Sequence, residues 1–131
     1  FPIRSFVLSE GVRFPLGVAS AGLVILSMLP DAEVDKYLAD AALVERFGPS
    51  HAPAAVRERV ATTRATGYSV NPGLIVEGSW GMGAAIFDKS GKPAWALSLT
   101  GVATRFTDAR RPDLGRLLLE HAHRVSRRPG A

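Results

Sequence analysis

Between residues 81 and 100 the chain alternates with a period of two in a way that few arrangements can accommodate. Gly81, Gly83 and Ala85 alternate with Met82, Ala84 and Ile86, and Ala94, Ala96, Ser98 and Thr100 alternate with Trp95, Leu97 and Leu99. Successive side chains of a strand point to opposite faces, so each stretch reads as a strand with one small face. Lys89-Ser90-Gly91-Lys92 reads as the loop of a hairpin. If that loop pairs Asp88 with Pro93, Gly81 lies near Thr100, Gly83 near Ser98 and Ala85 near Ala96, and the two small faces coincide. A loop shorter by one residue would put them on opposite sides of the sheet. A face of glycine, alanine, serine and threonine cannot fill a core layer by itself. Either a helix backbone or a neighbouring subunit comes close, or a small polar ligand lies between this face and a helix start. In a dry contact the hydroxyls would need other partners.

The segment suited to approach that face is Pro15-Leu16-Gly17-Val18-Ala19-Ser20-Ala21-Gly22-Leu23-Val24-Ile25-Leu26. Ser20 reads as an N-cap, followed by a helix to about Leu29 that is apolar nearly all round and therefore central. The first N–H groups of a helix lack internal partners and sit at the positive end of its dipole, so Ser20, Ala21 and Gly22 offer a place for a carboxylate. The competing reading is that these residues are small so that a buried helix can approach a sheet closely.

Around these two features the pattern is that of one α+β domain over residues 1–131. Apolar content of 47% suits a self-sufficient core. Ile3 to Leu8 and a stretch through Phe14 read as extended. A short helix follows Pro30-Asp31 with Val34, Tyr37 and Leu38 at helical spacing, and Phe47 to Ser50 reads as a loop. A longer helix runs from about Ala54 to Thr66 and stops at Gly67. Tyr68 to Val70 and Leu74 to Val76 read as extended around Asn71-Pro72-Gly73. A last helix spans about Asp113 to Ser126, with Leu114, Leu117, Leu118, His121 and Val125 as its packing face. Helices packed on an antiparallel sheet follow.

Most chemistry is excluded by what the chain lacks. It has no cysteine, so disulfides and thiolate chemistry are out. No zincin, nucleophile-elbow, Walker or dinucleotide-binding pattern occurs. Gly78-Ser79-Trp80-Gly81-Met82-Gly83 precedes a strand instead of following one. Asp31, Glu33 and Asp35 sit at a helix start, where the dipole accounts for them without a metal. His51, His121 and His123 read as ordinary surface or core residues. No catalytic residue, metal or cofactor is expected. The net charge of +4 comes from arginines spread along the chain with acids among them, which reads as solvated surface and not as a nucleic-acid face. The longest apolar run, Leu23 to Leu29, is far too short to span a bilayer.

Six further pieces stand in order: Gly11-Val12-Arg13-Phe14-Pro15-Leu16, Ala21-Gly22, Met28-Leu29-Pro30, Arg64-Ala65-Thr66-Gly67-Tyr68, the stretch from Glu77 through Gly81 to Asp88, and Ala96-Leu97-Ser98-Leu99-Thr100-Gly101. This succession resembles the effector-binding domain of the IclR family of bacterial transcription regulators, and it holds over nearly the whole chain. The resemblance implies a GAF-like domain, a curved antiparallel sheet packed with helices, with its first strands and an N-terminal winged helix-turn-helix domain absent from this chain. It further implies a pocket for a small carboxylic acid. The backbone at Ser20, Ala21 and Gly22 would hold the carboxylate, with Asn71, Gly81, Ser98 and Thr100 contacting the ligand and Phe6, Phe14 and Ser79 at wall positions. Gly17 and Leu23 stand where that family usually has histidine and lysine, Gly81 where cysteine is common, and Asn71 where an acid is frequent. With Phe14, these departures suggest a larger or aromatic acid. The expectation is thus a non-enzymatic, cytoplasmic metabolite sensor. It would work as a homodimer or tetramer, touching operator DNA only through the absent domain. The rival is a GAF-like oligomerisation module with a vestigial pocket, and a small hydrolase or isomerase is a distant third.

Overall fold

A computed structural model describes residues 16–72, 79–102 and 107–127 of the 131. Five α-helices and a three-stranded antiparallel sheet follow in the order α1 (Ser20–Ser27), α2 (Asp31–Ala41), α3 (Leu43–Phe47), α4 (Pro53–Thr66), β1 (Ser69–Pro72), β2 (Ser79–Phe87), β3 (Pro93–Val102) and α5 (Arg111–Ser126). A 3-10 turn at Pro49–His51 joins α3 to α4. The strand order is β1-β2-β3. The expected extended stretches at residues 3–8 and through Phe14 lie outside the described residues, as does Leu74 to Val76.

The sheet separates two apolar layers. On one face α1, α2, α3 and α4 enclose a core of Val18, Leu23, Leu26, Val34, Leu38, Leu43, Val56 and Val60. On the other, α5 lays Leu118 and Ala122 on Met82, Ala84 and Ile86. The bulky side chains of β2 face α5 and the glycines face α1, as strand alternation demands. Gly67, at φ +90°, ends α4 in the left-handed conformation that a side chain would resist, and its N–H caps the Thr63 carbonyl.

The hairpin register matches the alternation: Gly81 pairs with Thr100, Gly83 with Ser98 and Ala85 with Ala96. Only the loop end differs. Phe87, and not Asp88, faces Pro93 across an irregularity next to Ile86. Asp88 instead turns the chain, its carboxylate accepting from the N–H groups of Ser90 and Lys92 and from the Ser90 hydroxyl. These bonds to the charged form hold its carboxyl below the usual carboxylate range, the Ser90 side chain contributing most.

Three expectations need correction. Helix α1 begins at Ser20, but the N-cap is Ala19, which has the extended backbone (φ −86°, ψ 165°) that a cap requires. Ser20 is already helical, and α1 ends at Ser27, before Pro30. The segment before α4 contains α3 and a turn, not only a loop, with Ala42 in the left-handed conformation between α2 and α3. Lastly, α5 is rotated from its expected seating. Gly115, Leu118 and Ala122 are its buried residues, whereas Leu117 is 48% exposed and His121 is exposed. The physical reason is Gly115, which lets α5 ride so close to Tyr68 that a Cβ there would sit 2.4 Å from the ring. Accordingly Leu117→Glu is expected to change stability by less than about 0.5 kcal/mol, as at other surface positions. A urea unfolding midpoint measures this, and a large loss would put Leu117 back in the core.

Candidate functional site

The three strands bring small and polar residues into two rows across the α1 face of the sheet. Ser69 pairs with Gly83, which pairs with Ser98. Asn71 pairs with Gly81, which pairs with Thr100. Alternation places all six on one side, so the sheet offers α1 a shallow polar trough floored by glycine.

The N-terminus of α1 is seated in that trough. A Cβ on Gly81 would lie 2.9 Å from the Ser20 hydroxyl oxygen, and one on Gly83 would lie 3.0 Å from the Ser20 carbonyl oxygen. Strand β1 fixes the approach with two side chains spaced two residues apart. The Ser69 hydroxyl donates to the Ser20 carbonyl (2.6 Å), and the Asn71 side-chain amide donates to the Val18 carbonyl (3.2 Å). Ser20, Ser69 and Asn71 are all buried. The turn that delivers the chain to this point needs Gly17, at φ +89°, where a side chain would be both strained and pressed on Leu26.

The sequence-predicted residues therefore divide. Ser20, Asn71 and Gly81 come together in contact with one another's elements, and Ser98 and Thr100 lie on the same face one strand further out. Ala21 and Gly22 follow in the first turn of α1. That turn leaves the N–H groups of Ser20, Ala21 and Gly22 without a carbonyl in their own helix, the first internal bond running from the Leu23 N–H to the Ala19 carbonyl (2.8 Å). Ser79 is the first residue of β2, opposite Val102. Phe6 and Phe14 lie outside the described residues.

Asn71 differs from expectation in one respect: its amide is engaged with backbone, so it holds the turn before α1 in place. Ser69 was reached by no motif. The signal was its two-residue spacing from Asn71 on a strand whose partners are glycines. Ser98 and Thr100 are exposed among the described residues, so their hydroxyls are the polar groups of the trough that α1 does not cover.

Elsewhere, a cavity of about 460 Å³ lies between α4 and β1, lined by residues that include Arg59, Thr62, Thr66 and Tyr68. From β1 it takes Val70 and Pro72, which alternate with Ser69 and Asn71, and the hydroxyls of Thr62 and Thr66 already donate to carbonyls of α4. Among the described residues, none of Ser20, Ala21, Gly22, Asn71, Gly81, Ser98 and Thr100 borders it. Among the described residues no group of three or more His, Cys, Asp or Glu side chains could hold a metal, and no helix is long and apolar enough to cross a membrane.

Comparison with known proteins bears on this geometry. A family model described as "Bacterial transcriptional regulator IclR C-terminal" matches residues 4–127. The transcriptional repressor IclR of Escherichia coli is 30% identical over 120 residues, covering 88% of this chain and 43% of that protein. Among solved structures, the Thermotoga maritima IclR superposes with a TM-score of 0.83 at 27% identity, over 96% of this chain and 50% of that one. The Agobacterium tumefaciens repressor BlcR gives 0.78 at 30% identity, over 94% and 51%. The chain thus spans about half the length of the relatives it matches. Those relatives are named as transcriptional regulators and not as enzymes.

Proposed function

The chain belongs to the IclR family of bacterial transcriptional regulators, as its C-terminal effector-binding domain, and we propose that it binds a small carboxylic acid between the start of α1 and the outer part of the trough. The observation that carries this reading is the pair of rows Ser69–Gly83–Ser98 and Asn71–Gly81–Thr100, with a helix N-terminus lying across their inner part. The N–H groups of Ser20, Ala21 and Gly22 would receive the carboxylate. Ser98 and Thr100, neighbours of Gly83 and Gly81 on that face, would meet its polar substituents. With Leu23 buried in the core and not carrying a charge, backbone dipoles would supply the attraction.

In this reading the ligand favours one arrangement of subunits over another in a homodimer or tetramer. DNA-binding domains on the same polypeptide would be repositioned, and the protein would act in the cytoplasm. Domain limits of 1–131 and operator contact only through a separate N-terminal domain belong to the same proposal.

A second reading has its own observation. Ser20 is within contact distance of where any side chain on Gly81 or Gly83 would be, so part of the trough is filled by α1 itself. A domain whose pocket has closed in this way would serve assembly alone.

Thermal unfolding against a panel of keto, hydroxy and aromatic carboxylic acids separates the two. A ligand at ten times its dissociation constant adds about 1.4 kcal/mol. Stabilisation by at least one acid, lost in the Ser98→Ala/Thr100→Val double variant, supports sensing. No stabilisation by any acid supports the closed pocket.

A further inference from the structure

A second cluster, at the corner between α3 and α4, has no part in the trough. His51 ends the 3-10 turn and is only 1% exposed. Its ring packs on Phe47 of α3, with centroids 5.4 Å apart and planes tilted at 50°. Its Nδ1 lies 3.1 Å from the Ser50 hydroxyl, and its Nε2 is buried with no hydrogen-bond partner. From α4, Arg59 donates through Nη2 to the Ser50 carbonyl, and its Nη1 is likewise buried and unpartnered. An imidazole and a guanidinium from two elements therefore converge on one residue, Ser50.

The charges around this corner do not offset a second cation. Arg59 is the charged group acting on His51, while Glu58 acts on Arg59. On α3, the Arg46 guanidinium lies 5.0 Å from the Phe47 ring centroid, a further positive charge at the ring against which His51 packs. The acids of α2 that face α4 are taken, Asp31 by Arg64 and Asp35 by Arg57. Burial disfavours the protonated ring most, Arg59 disfavours it next, and the Phe47 carbonyl pulls the other way, so the His51 pKa is lowered from its ordinary 6.5. An unfolded or swung-out His51 takes up a proton as the pH falls below about 6.5. The buried one does not, so the closed corner has its full stability above that pH and loses it progressively below.

We propose that the Gly48–Ala52 turn is an acid-operated latch: a proton from solvent on His51 creates a second buried cation beside Arg59, and the turn swings out so that the ring reaches water. The ends of the turn are built for this. Gly48, at φ +82°, has open space where a side chain would stand, and Ala52 is extended. The bonds that must open are those closing the turn, from the His51 N–H to the Gly48 carbonyl (3.0 Å) and from the Ala52 N–H to the Pro49 carbonyl (3.1 Å). Opening withdraws the Ser50 carbonyl from Arg59, which also lines the cavity between α4 and β1.

NMR titration of His51, with amide exchange expressed as protection relative to the free peptide, tests the latch between pH 7.5 and 5 on the 131-residue chain. The expected result is a His51 midpoint below 6.5. Protection of the His51 and Ala52 amides should fall toward the one-proton limit of about tenfold per pH unit, while β2 and α5 stay protected. His51→Gln removes that pH dependence, and Arg59→Gln raises the His51 midpoint. The latch is overturned by a midpoint at or above 6.5, by the same loss of protection in His51→Gln, or by β2 and α5 losing protection together with the turn.

Discussion

Gly83→Val is expected to destabilise the domain by about 3 kcal/mol, at the upper end of what overpacking a tight interior costs. A Cβ at this position would stand 3.0 Å from the Ser20 carbonyl oxygen, 3.2 Å from its carbonyl carbon and 3.0 Å from the Ser69 hydroxyl. Two of those atoms are backbone, and the valine methyls would reach further into them. The carbonyl cannot rotate aside, because the Ser69 hydroxyl holds it. Relief requires moving the start of α1 off the sheet, which breaks that bond and disturbs Leu23 and Leu26 in the core behind it. Gly81→Ala should cost less than Gly83→Val, since its nearest contact is the Ser20 hydroxyl, a side-chain atom that can turn. Urea unfolding of both variants checks the magnitude and the order. Wild-type stability in Gly83→Val would mean that α1 does not lie where described.

Arg64→Ala is expected to cost about 2 kcal/mol, and Arg64→Lys to recover little of it. The side chain reaches from α4 to the far end of α1, donating from Nε to the Ser27 carbonyl and from Nη2 to the Leu29 carbonyl, each at 2.7 Å. The last carbonyls of a helix have no partner of their own, and this fork satisfies that of Ser27 together with the Leu29 carbonyl, just past the end of α1 where the chain turns toward α2. Hydrogen bonds to a charged donor contribute about 1.5–3 kcal/mol each, reduced here because the side chain is 37% exposed and water can replace part of what is lost. A lysine ammonium is a single point and cannot span both oxygens. The ion pair with Asp31 adds little by comparison, because that carboxylate is 83% exposed. Asp31→Ala should therefore fall below about 0.5 kcal/mol. If Asp31→Ala and Arg64→Ala prove equal, the salt bridge and not the carbonyl fork holds this end.

The parts of the fold readable in the sequence were those governed by local periodicity. The facing of the small residues on β2 and β3 was readable from alternation, although the irregularity beside Ile86 was not, and α4 announces itself through Val56, Val60, Thr63 and the terminal Gly67. Elements set by distant contacts were harder. Five residues of α3 carry too little pattern to show, and the left-handed Ala42 before them has no glycine or asparagine to flag it. Leucines at 117 and 118 look equivalent in a helical pattern, and only Tyr68 against Gly115 decides which one turns inward. In the candidate site, the small faces and the approach of a helix start were legible. The part of Ser69 was not, because its partner lies 49 residues away and its spacing from Asn71 gains meaning only once β1 is paired with the glycines of β2.

The two hooks on β1 also bear on how the chain assembles. They join residues 49 and 53 positions apart, and the fork from Arg64 spans 37. The β2–β3 hairpin, by contrast, closes a loop of a few residues. Closing a long loop costs more chain entropy before any contact compensates for it, so local hairpins lead and distant dockings follow. Helix α1, although it is first in the described sequence, should be among the last elements to settle, arriving on a trough that β1, β2 and β3 have already built. Substitutions at Ser69 or Gly83 would then show mainly as faster unfolding, with the refolding rate almost unchanged.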